Sequence, residues 1–246
     1  MGKIVAIGGG ETGHHEGKYN TAEIDREIIR LTGKRKPNFL FIGIANKHPD
    51  SYYKSMSRIY GGLYGCATDE LTLKDLGYTE TTRRKILEWA DIIYVGGGNT
   101  LKLMTLLRRF GTDKLLCEAY EAGKVLCGIS AGGICWCEYG VSDSRTYKEP
   151  ERKYVKVKGL GLLNIIFAPH ATEQPGRITA LERMMKRFPH RPGIAVDFAA
   201  LEVVDGKYRT IKIADQASCV EEHIIKRGKY LSEDISTEKF KDIPWN

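Results

Sequence analysis

Three short apolar runs in this chain stop on glycine, and that punctuation limits what it can fold into. Lys3 to Ile7 runs into Gly8-Gly-Gly-Glu-Thr-Gly13, Asp91 to Val95 into Gly96-Gly-Gly-Asn-Thr100, and Val125 to Cys127 into Gly128-Ile-Ser-Ala-Gly132. Runs this short, closed by turn residues, read as buried strands. Pro37 opens a further strand over Asn38 to Ile44, and Ala67 to Leu71 forms a short one. Between the strands the spacing turns helical. Asn20 or Thr21 caps a helix through Leu31 whose apolar face carries Ile24, Ile28, Ile29 and Leu31. A less regular helix covers Asp50 to Tyr64, Thr81 caps one to Trp89, and two more span Leu101 to Phe110 and Asp113 to Ala122. Strands alternating with helices at this interval predict a parallel sheet with helices on both faces, linked by right-handed crossovers. Such sheets bind ligands at the carboxyl ends of their strands, which is where these glycine loops fall.

Residues 128 to 132 fit G-x-S-x-G, the turn that lifts a serine hydroxyl clear of a sheet. The glycines suit it because a tight turn leaves no room for Cβ atoms. Ser130 is therefore a candidate nucleophile, and the helix-like stretch Ile134 to Glu138 follows it. The loop Gly96 to Thr100 ends a neighbouring strand. It is a tight turn with Asn99 or Thr100 as helix N-cap, or a backbone donor that pairs with the N–H of Ala131 in a two-donor oxyanion hole. An apolar strand over Leu162 to Ala168 delivers Pro169-His170 to the same edge, which makes His170 a candidate general base. Tyr139 to Glu151 reads as a polar loop, Tyr154 to Gly161 as strand and turn, and Gly176 to Phe188 as helix. From Gly193 onward, short strands predict antiparallel hairpins that finish the sheet.

Several function classes fall away. Gly8-x-Gly10-x-x-Gly13 matches a dinucleotide fingerprint, but Ile44-Ala-Asn-Lys47 offers no carboxylate for the ribose. The 38 basic and 31 acidic residues are interspersed, and the longest basic run is the three residues Lys34 to Lys36, so no stripe for nucleic acid stands out. No C-x-x-C pair occurs among Cys66, Cys117, Cys127, Cys135, Cys137 and Cys219, and His14-His15 is a poor metal pair on its own. Neither cofactor nor metal is expected. The first strand at the amino terminus lacks a signal peptide's apolar core, and no run approaches a membrane span, so a cytoplasmic location is expected. The 246 residues suit one α/β domain, 1–246, as a monomer or small homo-oligomer.

The ordered set of Gly96-Gly-Gly-Asn-Thr100, the helix pair, Gly128-Ile-Ser-Ala-Gly132 and Pro169-His170 resembles the peptidase E (α-aspartyl dipeptidase) family, serine peptidase family S51. The resemblance implies a flavodoxin-like parallel sheet of the class I glutamine amidotransferase-like kind, with Ser130 as nucleophile and His170 as base. It implies Gly98 and Ala131 as oxyanion donors, Arg177 and Asn99 as substrate-binding residues, and short peptides with an N-terminal acidic residue as substrates. The family places an acidic residue between serine and histidine. Asp143, in a polar turn after the elbow helix, is the first choice, with Glu138 and Glu149 as alternatives. Cyanophycinase-like cleavage of β-aspartyl peptides uses the same triad, and a non-catalytic small-molecule binder could keep the same elbow.

Overall fold

In the computed structural model, which describes residues 2–13, 17–146 and 153–245, the glycine-terminated runs are strands and the helical spacing is helix. The first half runs β1 (Lys3–Ile7), α1 (Ala22–Leu31), β2 (Asn38–Ile42), α2 (Pro49–Ser57, extended by a wider turn over Arg58–Leu63) and β3 (Ala67–Glu70). It continues with α3 (Leu73–Leu76), α4 (Thr79–Arg83, extended over Arg84–Trp89), β4 (Ile92–Val95), α5 (Thr100–Arg109), α6 (Thr112–Glu121) and β5 (Val125–Ile129). Strands β3, β2, β4, β5 and β1 lie side by side in that order, all parallel. Thr21 stands at the N-terminus of α1 as expected, but its hydroxyl donates to the Asp25 side chain rather than capping the helix.

The second half departs from the expected single sheet. After α7 (Ala131–Ile134) come β6 (Cys137–Ser142), β7 (Val155–Lys158), β8 (Leu163–Pro169), α8 (Arg177–Arg187) and β9 (Gly193–Asp197). Then follow β10 (Ala199–Val204), β11 (Lys207–Lys212), β12 (Cys219–Lys226), β13 (Lys229–Asp234) and β14 (Lys241–Asp242). Strands β10, β11 and β14 extend the first sheet antiparallel beyond β1, giving eight strands. The other six form a second sheet, ordered β13-β12-β9-β8-β6-β7, whose centre β6-β8-β9 is parallel.

The elbow helix stops at Ile134, short of the expected Glu138. The carbonyls of Cys135, Trp136, Cys137 and Glu138 accept from the amides of Leu160, Leu162, Gly161 and Gly159, so the 159–162 turn takes acceptors that a longer helix would need. Alternation along β8 then joins the sheets. Leu163, Ile165 and Phe167 enter the core shared with Ile4, Leu40, Ile93 and Leu126 of the first sheet, while Ile166 and Ala168 meet Ala180, Leu181 and Met185 of α8. The opposite face of the first sheet packs Val5, Phe39, Phe41 and Tyr94 against α1 and α2. Among the described residues, no helix is long and apolar enough to cross a membrane.

Candidate active site

The chain crosses between the sheets at Ser130 after β5 and at Phe198 between β9 and β10, and again after β11 and after β13. Both residues have positive φ, at 56° and 45°, and His170 at the end of β8 has φ 53°. Of the other described non-glycine residues with positive φ, Asp205 and Arg227 each precede the glycine of a hairpin, where that conformation is ordinary. At Ser130, His170 and Phe198 the strain sits on the carboxyl edge of the strands, where the surrounding structure must hold it in place.

Strand β1 sets the spacing of the serine and the histidine. The amide of Ser130 donates to the Ile7 carbonyl at 2.9 Å, and the amide of His170 donates to the next carbonyl, Gly8, at 3.0 Å. Successive carbonyls of an extended strand point to opposite sides, so the two residues flank the end of β1, about 9–10 Å apart by two inter-strand spacings. Among the described side chains no Ser130–His170 hydrogen bond is formed; the His170 ring is bonded to Glu173. Gly9 lets the ring lie over the strand end, since a Cβ there would stand 3.2 Å from His170 Nδ1.

The serine turn tolerates no side chains at its glycines. A Cβ on Gly132 would stand 1.9 Å from the Val95 carbonyl oxygen, and one on Gly128 2.5 Å from the same atom. Ala131 opens α7, so its N–H belongs to the first helical turn and has no intrahelical partner. The Gly96–Asn99 loop lies alongside, with the Gly97 Cβ position 3.7 Å from Ser130 Cβ. Gly96 N donates to Ile42 O and Asn99 N to Ala45 O, while the Gly97 amide faces the Tyr52 hydroxyl. Among the described groups, the Gly98 N–H is the loop amide left without a hydrogen bond. Gly98 has φ 145°, and a Cβ there would meet Ala45 O at 2.5 Å. Asn99 is the N-cap of α5: its Oδ1 accepts from Lys102 N at 2.9 Å and its Nδ2 donates to Ser144 O at 2.9 Å, so its polar atoms serve the scaffold.

The carboxylates around the histidine differ from the expected one. Glu173 Oε2 lies 3.0 Å from His170 Nδ1. That leaves Nε2 to serve the serine. Behind it, fully buried Asp197 accepts from Thr172 N (3.0 Å), Thr172 Oγ1 (2.6 Å), Glu173 N (2.9 Å) and Phe198 N (3.1 Å). Asp143 instead begins the turn after β6. That turn docks on α5, where Ser144 Oγ accepts from Leu101 N and Ser144 O from Asn99 Nδ2. Glu173, not Asp143, is the carboxylate bonded to His170. Glu138, at the opposite end of β6, pairs with Arg191. Glu149, His14 and His15 lie outside the described residues.

Arg177 is also placed differently from expectation. It is 2% exposed, donates to the Val141 carbonyl and the Gln174 side chain, and lies 4.6 Å from the centre of the Tyr154 ring. It braces the end of β6 against the histidine loop. His170, Glu173 and Asp197 hold one ligand-type atom each within 4.8 Å of one another. Both Asp197 oxygens are already engaged by protein donors, so a metal ion there would have to displace them.

These features coincide with what comparison with known proteins finds. The model of peptidase family S51 matches residues 4–211. The chain belongs to peptidase family S51. The uncharacterized peptidase YgaJ of Bacillus subtilis is 30% identical over 213 residues, covering 86% of this chain and 87% of its own length. A peptidase E of Shewanella denitrificans is 29% identical over 147 residues, 58% of each chain. The crystal structure of a peptidase from an acI-B1 actinobacterium superposes with a TM-score of 0.70 at 18% identity, covering 99% of this chain and 97% of that one. The S51 chain is accordingly a serine peptidase, and its mixed α/β architecture is of the flavodoxin-like, class I glutamine amidotransferase-like kind.

Proposed function

We propose that this enzyme hydrolyses short peptides with an N-terminal acidic residue through an acyl-enzyme on Ser130. The observation that carries the reading is the hanging of Ser130 and His170 from the consecutive carbonyls of Ile7 and Gly8, with the Gly97 backbone beside the serine. In this mechanism His170 Nε2 takes the Ser130 proton as Oγ attacks the carbonyl carbon of the first residue. The oxyanion accepts from the N–H groups of Gly98 and Ala131. His170 then gives the proton to the departing amine, and a water deprotonated by the same ring releases the acid and restores the serine. Glu173, bonded at Nδ1, fixes the tautomer and stabilises the imidazolium, while Asp197 holds the loop that carries both residues.

Support for an acidic substrate comes from the peptidase E name of one relative and from the net charge of +7. With Arg177 turned inward, exposed Lys102 is a cation at the rim, its Nζ 3.5 Å from the Asn46 carbonyl beside the glycine loop. Hydrolysis of Asp-Leu, β-Asp-Arg and longer acidic peptides by the wild type and S130A, with phosphonate labelling of both, tests the proposal. Asp-Leu is expected to be the favoured substrate, with turnover and labelling lost in S130A. Equal turnover in S130A sinks the nucleophile. A preference for β-Asp-Arg would move the substrate assignment while leaving the chemistry.

A further inference from the structure

The donor assigned to the oxyanion sits in a peptide that nothing in its own sequence holds still. Gly97 and Gly98 flank it, and a peptide between two glycines can rotate about its flanking bonds with little steric resistance, exchanging N–H for C=O. A carbonyl turned toward Ser130 would repel the oxyanion. The structure carries two side chains that oppose this rotation, both from the segment after β2. Asn46 Nδ2 points at the Gly97 carbonyl at 3.5 Å, and in a trans peptide that carbonyl is antiparallel to the Gly98 N–H. The Tyr52 hydroxyl faces the Gly97 backbone and accepts from Thr12 Oγ1 at 3.4 Å, which holds it against the preceding peptide.

Packing reinforces the arrangement. Tyr52 is 3% exposed, with its ring 4.9 Å from that of Phe41. Gly96 lies on both rings, so that a Cβ there would stand 2.9 Å from Tyr52 Cε1 and 2.8 Å from Phe41 Cζ. Asn46 is held in turn, its Oδ1 accepting from His48 N at 2.8 Å. We infer that Tyr52 and Asn46 are positioning residues that lock the Gly97–Gly98 peptide with its N–H toward the acyl oxygen. The inference rests on the proposed roles of Ser130 and Gly98.

Tyr52→Phe removes one oxygen and keeps the ring packing. Asn46→Asp keeps the acceptor for His48 N but sets a carboxylate oxygen against the Gly97 carbonyl, favouring the flipped peptide. Loss of a whole oxyanion donor lowers rates about 10²–10³-fold, so a mis-set donor is expected to lower kcat about tenfold in Y52F and more in N46D. KM for Asp-Leu should stay within twofold in Y52F, and both variants should melt close to wild type. The deciding readout is affinity for a peptide boronate, whose tetrahedral adduct occupies the oxyanion hole. It should weaken by the same factor as kcat, while product inhibition by free aspartate is unchanged. Full kcat and full boronate affinity in both variants, with S130A inactive, overturn the lock and leave the nucleophile standing. Turnover by S130A would instead overturn the reading beneath it. Should Y52F fail to fold, Thr12→Val takes its place, since Thr12 reaches the loop through Tyr52. A loss of about threefold in both kcat and boronate affinity supports the lock, and none refutes it.

Discussion

Replacing Asp197 by asparagine tests which carboxylate the histidine depends on. Asp197 Oδ2 accepts three hydrogen bonds, from Thr172 N, Thr172 Oγ1 and Glu173 N, and Oδ1 accepts one from Phe198 N. An asparagine can keep its oxygen toward the three donors, but its amide nitrogen then faces the Phe198 N–H, donor against donor, in a fully buried position. A buried donor left unpaired costs about 1–3 kcal/mol, and hydrogen bonds to a charged acceptor lose about half their strength when it becomes neutral. We expect D197N to lose about 2–4 kcal/mol, or roughly 5–15 °C in melting temperature for a chain of this size. Activity should fall further than stability requires. The lost bonds hold the two residues after His170, and a misplacement of about 1 Å can cost about 10² in rate. Glu173→Gln is expected to differ: its carboxylate is 45% exposed, so melting should hardly move, while kcat falls several-fold as the Nδ1 partner loses its charge. Asp143→Asn should stay within about twofold of wild-type kcat. The assay is Asp-Leu hydrolysis beside thermal melts of the three variants. A D197N enzyme with wild-type melting and kcat, or a D143N enzyme with the largest loss, would refute the reasoning.

Two further outcomes test the scaffold. Gly132→Ala should be strongly destabilising, because its Cβ would stand 1.9 Å from a backbone oxygen of β4, and overpacking against main chain costs about 1–3 kcal/mol or more; Gly62→Ala, with nothing within 4 Å, is the matched control, and equal melting of the two would count against the elbow geometry. Asp25 is buried with no paired cation among the described residues, accepts from Tyr60 (2.6 Å), Thr21 (2.9 Å) and Tyr19 (3.0 Å), and has its carboxyl pushed up from 3.8 to about 6 by burial. The folded state therefore holds this proton more tightly than the unfolded chain does. The stabilisation is fully present below about pH 4 and is lost as pH rises through about 6, an order of 3 kcal/mol. Urea melts across that range should show D25N gaining on the wild type by about this amount, and a constant difference would show that Asp25 does not titrate there.

What the sequence reveals depends on how locally each feature is encoded. The strands β1, β2, β4 and β5 are legible because a buried parallel strand is a short apolar run and each here ends on a turn residue. Ser130 and His170 are legible for a related reason: each closes such a run, on the edge where ligands bind. The second sheet is not. Its centre depends on β6 pairing with β8, and β6 is hidden because Cys137 to Ser142 mixes polar and apolar residues and follows an elbow that reads as helix. The acid moves with it: β6 runs through Ser142 into a turn that docks on α5, and the carboxylate bonded to His170 is Glu173. Arg177, which the resemblance gives to the substrate, is a buried guanidinium that donates to the Val141 carbonyl and the Gln174 side chain, a setting that sequence position alone does not reveal.

Asp197 leaves a trace that a closer reading could use. It stands in Ile194-Ala-Val-Asp-Phe-Ala-Ala200, a lone carboxylate inside an apolar run, and a buried charge needs donors from elsewhere in the chain. The structure shows why they come from the histidine loop. Asp197 ends β9 at the point where the chain leaves the second sheet for the first, and β9 pairs in parallel with β8, which delivers His170. Ser130 marks the passage in the other direction. Strand β1, whose last carbonyl holds Ser130 and whose following residue, Gly8, holds His170, lies between these two crossings. The serine is therefore registered to the first sheet and the histidine to the second, and their alignment depends on how the sheets pack through Ile165, Phe167 and Val196. Substitutions in that shared core, far from any substrate, should change kcat in proportion to how far they shift one sheet against the other.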